Sequence, residues 1–379
     1  MIMQAFYAKS IVNTDRSMRL LAVWISIACI LPGYSSTLQF RTLDSFNGLS
    51  QNSIFDIFQD SSGLIWIGTE CGLNLYDGHS FRVFYADPDQ EQHLHSNTVY
   101  FIEEDREGYL WVGTSLSYLN RIDPRTGEVR WYQLDSHLSP EVTHLYFQCL
   151  YQSPDGELYI GTRNGLYHYQ GRKTFVCLLK KNLSFNTVFK HRDQIIVGTS
   201  HGLFTLKREN GEHRLDEIPT RNVALLKNQV INVSRLVSPD IYLIGTASGL
   251  FLLDLKTYHL GPFYFSSKYP EPLKNRFITD ILSRKSERGI ELWIGTRNGL
   301  VILDEPRMEI RHYRYDPNDA DGISHNYIKK IFRDRSGMLW LGTYGGGISL
   351  APPIAGTFAL SPFLKKVNHI IASDLVFSI

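Results

Sequence analysis

The sequence lacks the short motifs on which most recognisable catalytic and nucleotide chemistry rests. It has no Gly-x-x-x-x-Gly-Lys-Ser/Thr, no His-Glu-x-x-His and no Cys-x-x-Cys, so neither a phosphate-cradling loop nor a common zinc arrangement has a foothold. Charge of one sign is missing too. The 39 Lys and Arg against 38 Asp and Glu leave a formal net charge of +1, which gives no global attraction to nucleic acid or an anionic membrane surface. Cysteine is scarce: four in 379 residues. Cys29 lies in an apolar run, and the odd set Cys71, Cys149 and Cys177 has no metal-ligand spacing, which argues against a disulfide framework. These three read as buried thiols. No cofactor and no metal is expected. The one conspicuous apolar run, Leu20–Leu31, falls short of the roughly 20 residues that span a bilayer.

What is plentiful is equally directive. Aromatic residues make up 13% of the chain, and 29 glycines outnumber 15 prolines. Many aromatics with many turn glycines favour short strands and tight turns over long helices.

The N-terminus carries an address. Arg16 and Arg19 precede the run Leu20–Leu31, and Pro32-Gly33-Tyr34-Ser35-Ser36 follows. A basic flank, a short apolar stretch and small residues describe a secretory signal peptide, assigned to residues 1–35 with cleavage after Ser35. Met18 is an alternative start, and an uncleaved membrane tether is the alternative outcome. Ser26-Ile27-Ala28-Cys29 resembles a lipoprotein box only loosely, without its usual Leu. A periplasmic or otherwise exported protein is expected.

One phrase then recurs seven times: Trp66-Ile-Gly68-Thr69, Trp111-Val-Gly113-Thr114, Tyr159-Ile-Gly161-Thr162, Ile196-Val-Gly198-Thr199, Leu243-Ile-Gly245-Thr246, Trp293-Ile-Gly295-Thr296 and Trp340-Leu-Gly342-Thr343. Its glycines are 45, 48, 37, 47, 50 and 47 residues apart, the length of one four-stranded propeller blade. The fullest copy begins with an inner strand at Ile54–Ile57 and an Asp60-Ser-Ser-Gly63 turn in which Asp bonds its own backbone. A buried strand through Trp66 follows, then a third around Leu73–Tyr76 and an outer strand from Phe81. Gly68 and its equivalents lie where backbones crowd toward an axis. The Trp position, filled elsewhere by Tyr159, Ile196 and Leu243, reads as packing between blades.

The expected fold is therefore all-β: a seven-bladed propeller of four-stranded antiparallel blades over residues 36–350. The ring needs closing, because an open edge strand invites aggregation. Phe40-Arg-Thr-Leu43 has the character of an outer strand and is expected to complete the last blade beside Gly347-Ile-Ser-Leu350. Residues 351–379 read as a linker and the incomplete first strand of a further repeat. There, Ile371-Ala-Ser-Asp374-Leu-Val376-Phe-Ser-Ile379 repeats the spacing of Leu49–Ile57, as in a piece of a longer array or a truncated gene.

Gly48-Leu-Ser-Gln-Asn52, the stretch Asp60–Thr69 and Gly72-Leu-Asn-Leu-Tyr76-Asp77-Gly78 together resemble the two-component regulator propeller repeat, and the resemblance runs from about residue 40 onward. It implies the periplasmic sensor region of hybrid two-component systems of the Bacteroidetes type. Such regions usually hold two propellers in tandem ahead of a membrane span and a histidine kinase, and chiefly sense oligosaccharides. This sequence carries no kinase, receiver or ATP-binding region, so it is expected to be an input module of signal transduction and phosphorelay, not an enzyme.

The turns after each Gly-Thr and the connections into each inner strand should gather on one face. Residues there that differ between repeats are the binding candidates: Glu70, Arg163, Asn164, His201, Arg297, Asn298 and Tyr344, with His95 and His325 from the connections. Polar side chains with an aromatic platform suit a sugar. Asn52, Asn97 and Asn326 recur and so read as structural. Three functions stay open: a sensor for an oligosaccharide or other small ligand, a scaffold docking a protein such as a second propeller or a sensor kinase subunit, and a propeller lyase or glycosidase. No nucleic-acid partner is expected.

Overall fold

The computed structural model describes residues 38–353, except 88, 91, 116–117, 135–145, 172–173, 221, 266–272 and 287–288. The signal segment assigned to 1–35 lies outside the described residues, as does all but 351–353 of the linker and further repeat assigned to 351–379. A compact unit spans Gln39–Ile354. Its seven sheets each have four antiparallel strands, and among the described residues the helical elements are two short 3₁₀ turns, Ser45–Asn47 and Val223–Leu225. In chain order the blades occupy residues 54–84, 99–133, 147–180, 185–217, 231–262, 278–313 and 328–351. Each first strand packs beside the first strand of the next blade, and that of blade 7 lies beside that of blade 1. The ring is closed.

Closure comes from the N-terminal strand Arg41–Leu43, which pairs with the last strand through Arg41 to Leu350, Thr42 to Ser349 and Leu43 to Ile348. Blade 7 is thus built from both ends of the described chain, with the three-residue strand Arg41–Leu43 as its short outer edge.

The core lies between blades, in layers. Trp66 and Leu73 of blade 1 pack on Val99, Ile102 and Val112 of blade 2, and Leu43, Trp340 and Ile348 of blade 7 pack on Ile54 and Ile67 of blade 1. The second strand of each blade is sandwiched on both faces, which is why Ile65–Thr69 and its counterparts are buried throughout and rich in β-branched residues. Their glycines answer to steric exclusion. A Cβ on Gly161 would stand 2.2 Å from the Phe185 carbonyl oxygen of the next blade, and one on Gly68 2.7 Å from a Val99 methyl.

The recurring Asp does two jobs. Asp60 accepts the Leu64 N–H with one carboxylate oxygen and the Trp66 indole N–H, at 2.7 Å, with the other. Asp105 with Trp111 and Asp334 with Trp340 repeat the pair at 2.9 Å. In blade 6 the turn Asp is gone and Glu291 accepts from Trp293 instead. A buried indole needs an acceptor, and each of these Trp has a carboxylate. In blade 3 Tyr159 donates its hydroxyl to Glu157 at 3.1 Å, and in blades 4 and 5 the apolar Ile196 and Leu243 need no acceptor. The thiols depart in part from expectation: Cys71 and Cys149 are half-buried and Cys177 is exposed, since it lies on the outer strand of its blade, where cover from neighbouring blades ends.

Candidate functional site

All seven second strands end, at their Gly-Thr, on the face where the inner strands begin. The residue after each Gly-Thr is anchored there by its backbone N–H, which donates to the residue just before the inner strand. The pairs are Glu70 to Ser53, Ser115 to Thr98, Arg163 to Tyr146, Ser200 to Ser184, Ala247 to Val230, Arg297 to Phe277 and Tyr344 to Tyr327. A second circle comes from a β-bulge just after the first residue of every inner strand. A bulge re-aims the extra side chain out of the ladder. The bulged residues are Phe55, Tyr100, Gln148, Asn186, Asn232, Thr279 and Lys329.

These circles divide into two sectors. In blades 4, 5 and 6 the bulged side chain laces its blade to the next: Asn186 donates to the Ile231 carbonyl, Asn232 to Ile278 and Thr279 to Ile328, at 2.9, 2.8 and 2.6 Å. In blades 7, 1 and 2 no such bond forms among the described residues. Phe55 instead meets Tyr100 edge-on at 5.4 Å and Tyr344 at 6.3 Å. Tyr344 meets Tyr327 at 5.5 Å, and Lys329 holds its ammonium 5.7 Å from the Phe55 ring. Arg297 lies 3.6 Å over Phe277 and 5.4 Å from Tyr327, and Arg163 lies 4.4 Å over Tyr146. Burial raises the Tyr100 hydroxyl above its ordinary pKa, Tyr146 and Glu70 add to the rise and Arg163 opposes it, so these groups share one neighbourhood. An aromatic arc therefore runs from blade 6 through 7, 1 and 2 to blade 3.

Of the candidates named from sequence, Glu70, Arg163, Arg297 and Tyr344 stand on this arc. Asn164, His201 and Asn298 follow their Gly-Thr by one further position, each backbone N–H bonded to the Thr hydroxyl. His201 is exposed beside Ser200, in the laced sector. The two connection histidines are built into the scaffold. His95 stacks on Tyr118 at 3.9 Å and meets Trp131 at 4.9 Å, with burial lowering its pKa, and His325 accepts the Tyr327 N–H on its ring nitrogen. The recurring asparagines are structural: Asn52, Asn97 and Asn326 each accept a backbone N–H from the incoming connection. Phe55, Tyr100, Tyr146, Phe277, Tyr327 and Lys329 are the arc residues that the sequence reading passed over.

Beneath the arc the inner strands carry charge. Asp56 accepts the N–H of Ile57 and of Ile102 in the next blade, and takes Lys330 from blade 7 at 2.7 Å. Asp280 likewise accepts from Ile281 and Ile331. Burial alone would pull the Lys330 pKa down, but the Asp56 and Asp280 carboxylates outweigh it and raise it. Glu103 is half-buried, and its pKa is pushed up to about 7, by burial first and then by Asp56, against the pull of Lys330 and Arg235. Charges from blades 1, 5 and 7 reach this carboxyl on blade 2, as they can only near the axis.

The two component regulator propeller profile matches residues 48–71, 93–115 and 322–345. This chain carries two-component regulator propeller repeats. Two solved structures are similar in fold, each named as the extracellular domain of a hybrid two-component system of Bacteroides thetaiotaomicron. One is 23% identical with a TM-score of 0.64, covering 83% of this chain and 42% of its own. The other is 25% identical with a TM-score of 0.63, covering 83% and 40%. A curated relative, histidine kinase P4 of Formosa agariphila, is 40% identical over 63 residues, 17% of this chain and 5% of that protein. The chain thus spans about two fifths of the structures it resembles and a small part of the kinase. Its propeller is similar to those extracellular domains, and no helix of its described residues is long and apolar enough to cross a membrane.

Proposed function

We propose that this propeller is an exported ligand-binding sensor, an input module of a two-component system, and that it takes an oligosaccharide on the aromatic arc. The observation that carries the proposal is the split among bulged residues. Where the scaffold alone is served, in blades 4 to 6, the position holds Asn or Thr bonded to the next blade. Where it holds Phe55, Tyr100 and Lys329, a scaffold bond has been given up for rings and a cation on the mouth of the ring. Aromatic faces beside polar donors are what a sugar needs, one face for C–H stacking and edges for hydroxyls. The signal segment and the relatives named as extracellular domains support an exported, periplasmic location.

Glycosidase chemistry finds less support. A pair of carboxylates must flank the bond, and beside Glu103 the carboxylate of Asp56 already holds two backbone N–H groups and an ammonium. A protein partner has one observation in its favour. Phe46 is 96% exposed on the capped turn Ser45–Asn47, and Tyr85 and Tyr315, also exposed, follow outer strands that end on the same face. A second propeller seated on that rim is compatible with a sugar at the mouth.

The test is thermal unfolding of the full chain with a panel of oligosaccharides. Ligand at about 100 times its dissociation constant adds about 2.7 kcal/mol of stability. A rise in Tm with one glycan class, lost in Tyr344→Ala and with the glycan recovered intact, is the expected result. No rise with any glycan would sink the reading.

A further inference from the structure

The mouth is not electrically neutral. Among the residues preceding each inner strand, the bulged residues and those following each Gly-Thr stand three cations, Arg163, Arg297 and Lys329, against one carboxylate, Glu70. Glu70 is already met by the Gln51 amide at 3.3 Å. Elsewhere guanidinium groups are paired: Arg121 with Asp105 and Glu107, Arg214 with Glu209 and Asp216, Arg311 with Glu291 and Asp304. Neither Arg163 nor Arg297 has a carboxylate or carbonyl partner among the described residues, and both are exposed. Each is instead held over a ring, Tyr146 and Phe277 respectively.

That posture has a chemical meaning. Stacking fixes the plane of a guanidinium and leaves its N–H edge free. This edge is a rigid fork matched to two oxygens of a carboxylate or sulfate. A neutral sugar is usually gripped through pairs of hydroxyls by carboxylates or amides. The arc offers one carboxylate, met by Gln51, and the Gln148 amide, which donates to the Tyr146 carbonyl at 3.4 Å. Arg163 on blade 3 and Arg297 on blade 6 stand three blades apart in a ring of seven, on opposite sides of the axis. We infer that the ligand is an anionic oligosaccharide, bearing carboxylate or sulfate groups that the forks of Arg163 and Arg297 receive. The inference rests on the proposed site and names its ligand class.

Matched probes test it. Oligogalacturonate is compared with its methyl ester, and a sulfated carrageenan oligosaccharide with its desulfated counterpart, each titrated into the full chain. The expected result is that the anionic member of one pair binds and its neutral counterpart is about tenfold weaker or worse, the size expected of charge-assisted bonds. The pair that responds tells carboxylate from sulfate. Arg297→Lys, which keeps charge and loses the planar fork, and Arg163→Gln should each weaken binding about tenfold while the Tm of the free protein stays put. Arg208→Gln, exposed at the opposite end of its blade, should leave affinity unchanged. Equal binding of charged and neutral members, or equal losses from Arg208→Gln and Arg297→Lys, would overturn the anionic class. In either case Tyr344→Ala still reports whether the arc is the site. If no probe of either pair binds while another neutral glycan does, the class falls and the site stands. If nothing binds at all, both fall.

Discussion

Blades 4 to 6 and blades 7, 1 and 2 solve one geometric problem in two ways. Neighbouring blades form separate sheets, and side chains tie their inner strands together. In the laced sector the bulged Asn186, Asn232 and Thr279 make the tie. Around Phe55 the tie has moved one residue deeper, to Asp56, which reaches the Ile102 N–H. Blade 6 has both ties, Thr279 and Asp280. At Phe55 the deeper carboxylate leaves the shallower position free to carry a ring, whereas Tyr100 on blade 2 is followed by Phe101 and carries its ring without such a carboxylate. On the proposed reading, the Phe55 ring stands where the structural bond has an understudy in Asp56.

The comparison breaks most violently where the two sectors are alike. Gly161→Val places atoms inside the 2.2 Å approach to Phe185, and overpacking against backbone should cost several kcal/mol. Loss of a single cooperative melting transition is expected; a Tm within a few degrees of the parent would mean that the blades have room to part. Next in size is Tyr100→Ala. Its ring contact with Phe55 belongs to the arc, so affinity for the bound glycan should fall by about 1–3 kcal/mol, as for truncated aromatic anchors, with a smaller loss of stability. Asn232→Ala is the mirror experiment. One half-buried hydrogen bond should cost about 1 kcal/mol in denaturant unfolding, with affinity unchanged. Should Asn232→Ala hurt binding as much as Tyr100→Ala, the division into sectors would be void.

The period, the blades and the closing strand were legible because they rest on repetition. Gly-Thr recurs where a Cβ has no room, and Phe40–Leu43 pairs where its strand character predicted. The coupling of Asp60 to Trp66 was also in plain view, since both vanish together in blades 3 to 5, but reading it requires knowing that the Asp looks inward to the indole. The arc was half legible. Glu70, Arg163, Arg297 and Tyr344 follow a fixed landmark, whereas Phe55 and Tyr100 sit inside runs that look like buried strand. Only the bulge turns them to the mouth, and no hydrophobic pattern announces a bulge. His95 varies between repeats for a different reason: it fills a gap against Tyr118 and Trp131.

The last comparison concerns the axis beneath the arc. The folded pKa of Glu103 is about 7, above the ordinary Glu value near 4.3. The folded protein therefore binds this proton more tightly than the unfolded chain does. Stability from this group is greatest below about pH 4, declines as pH rises through the window up to about 7, and is flat beyond it. Glu103→Gln removes the titration and leaves the facing charges, Asp56, Lys330, Arg235 and the adjacent Glu104, in place. The variant should show a flatter stability profile between pH 5 and 7, and should gain on the parent at pH 8, where the parent carries an ionised Glu103 near Asp56. Chemical unfolding at pH 5, 6, 7 and 8 measures this. If parent and variant profiles run parallel, Lys330 and Arg235 already neutralise the ionised carboxyl, and the axis is balanced for a charged Glu103 at neutral pH.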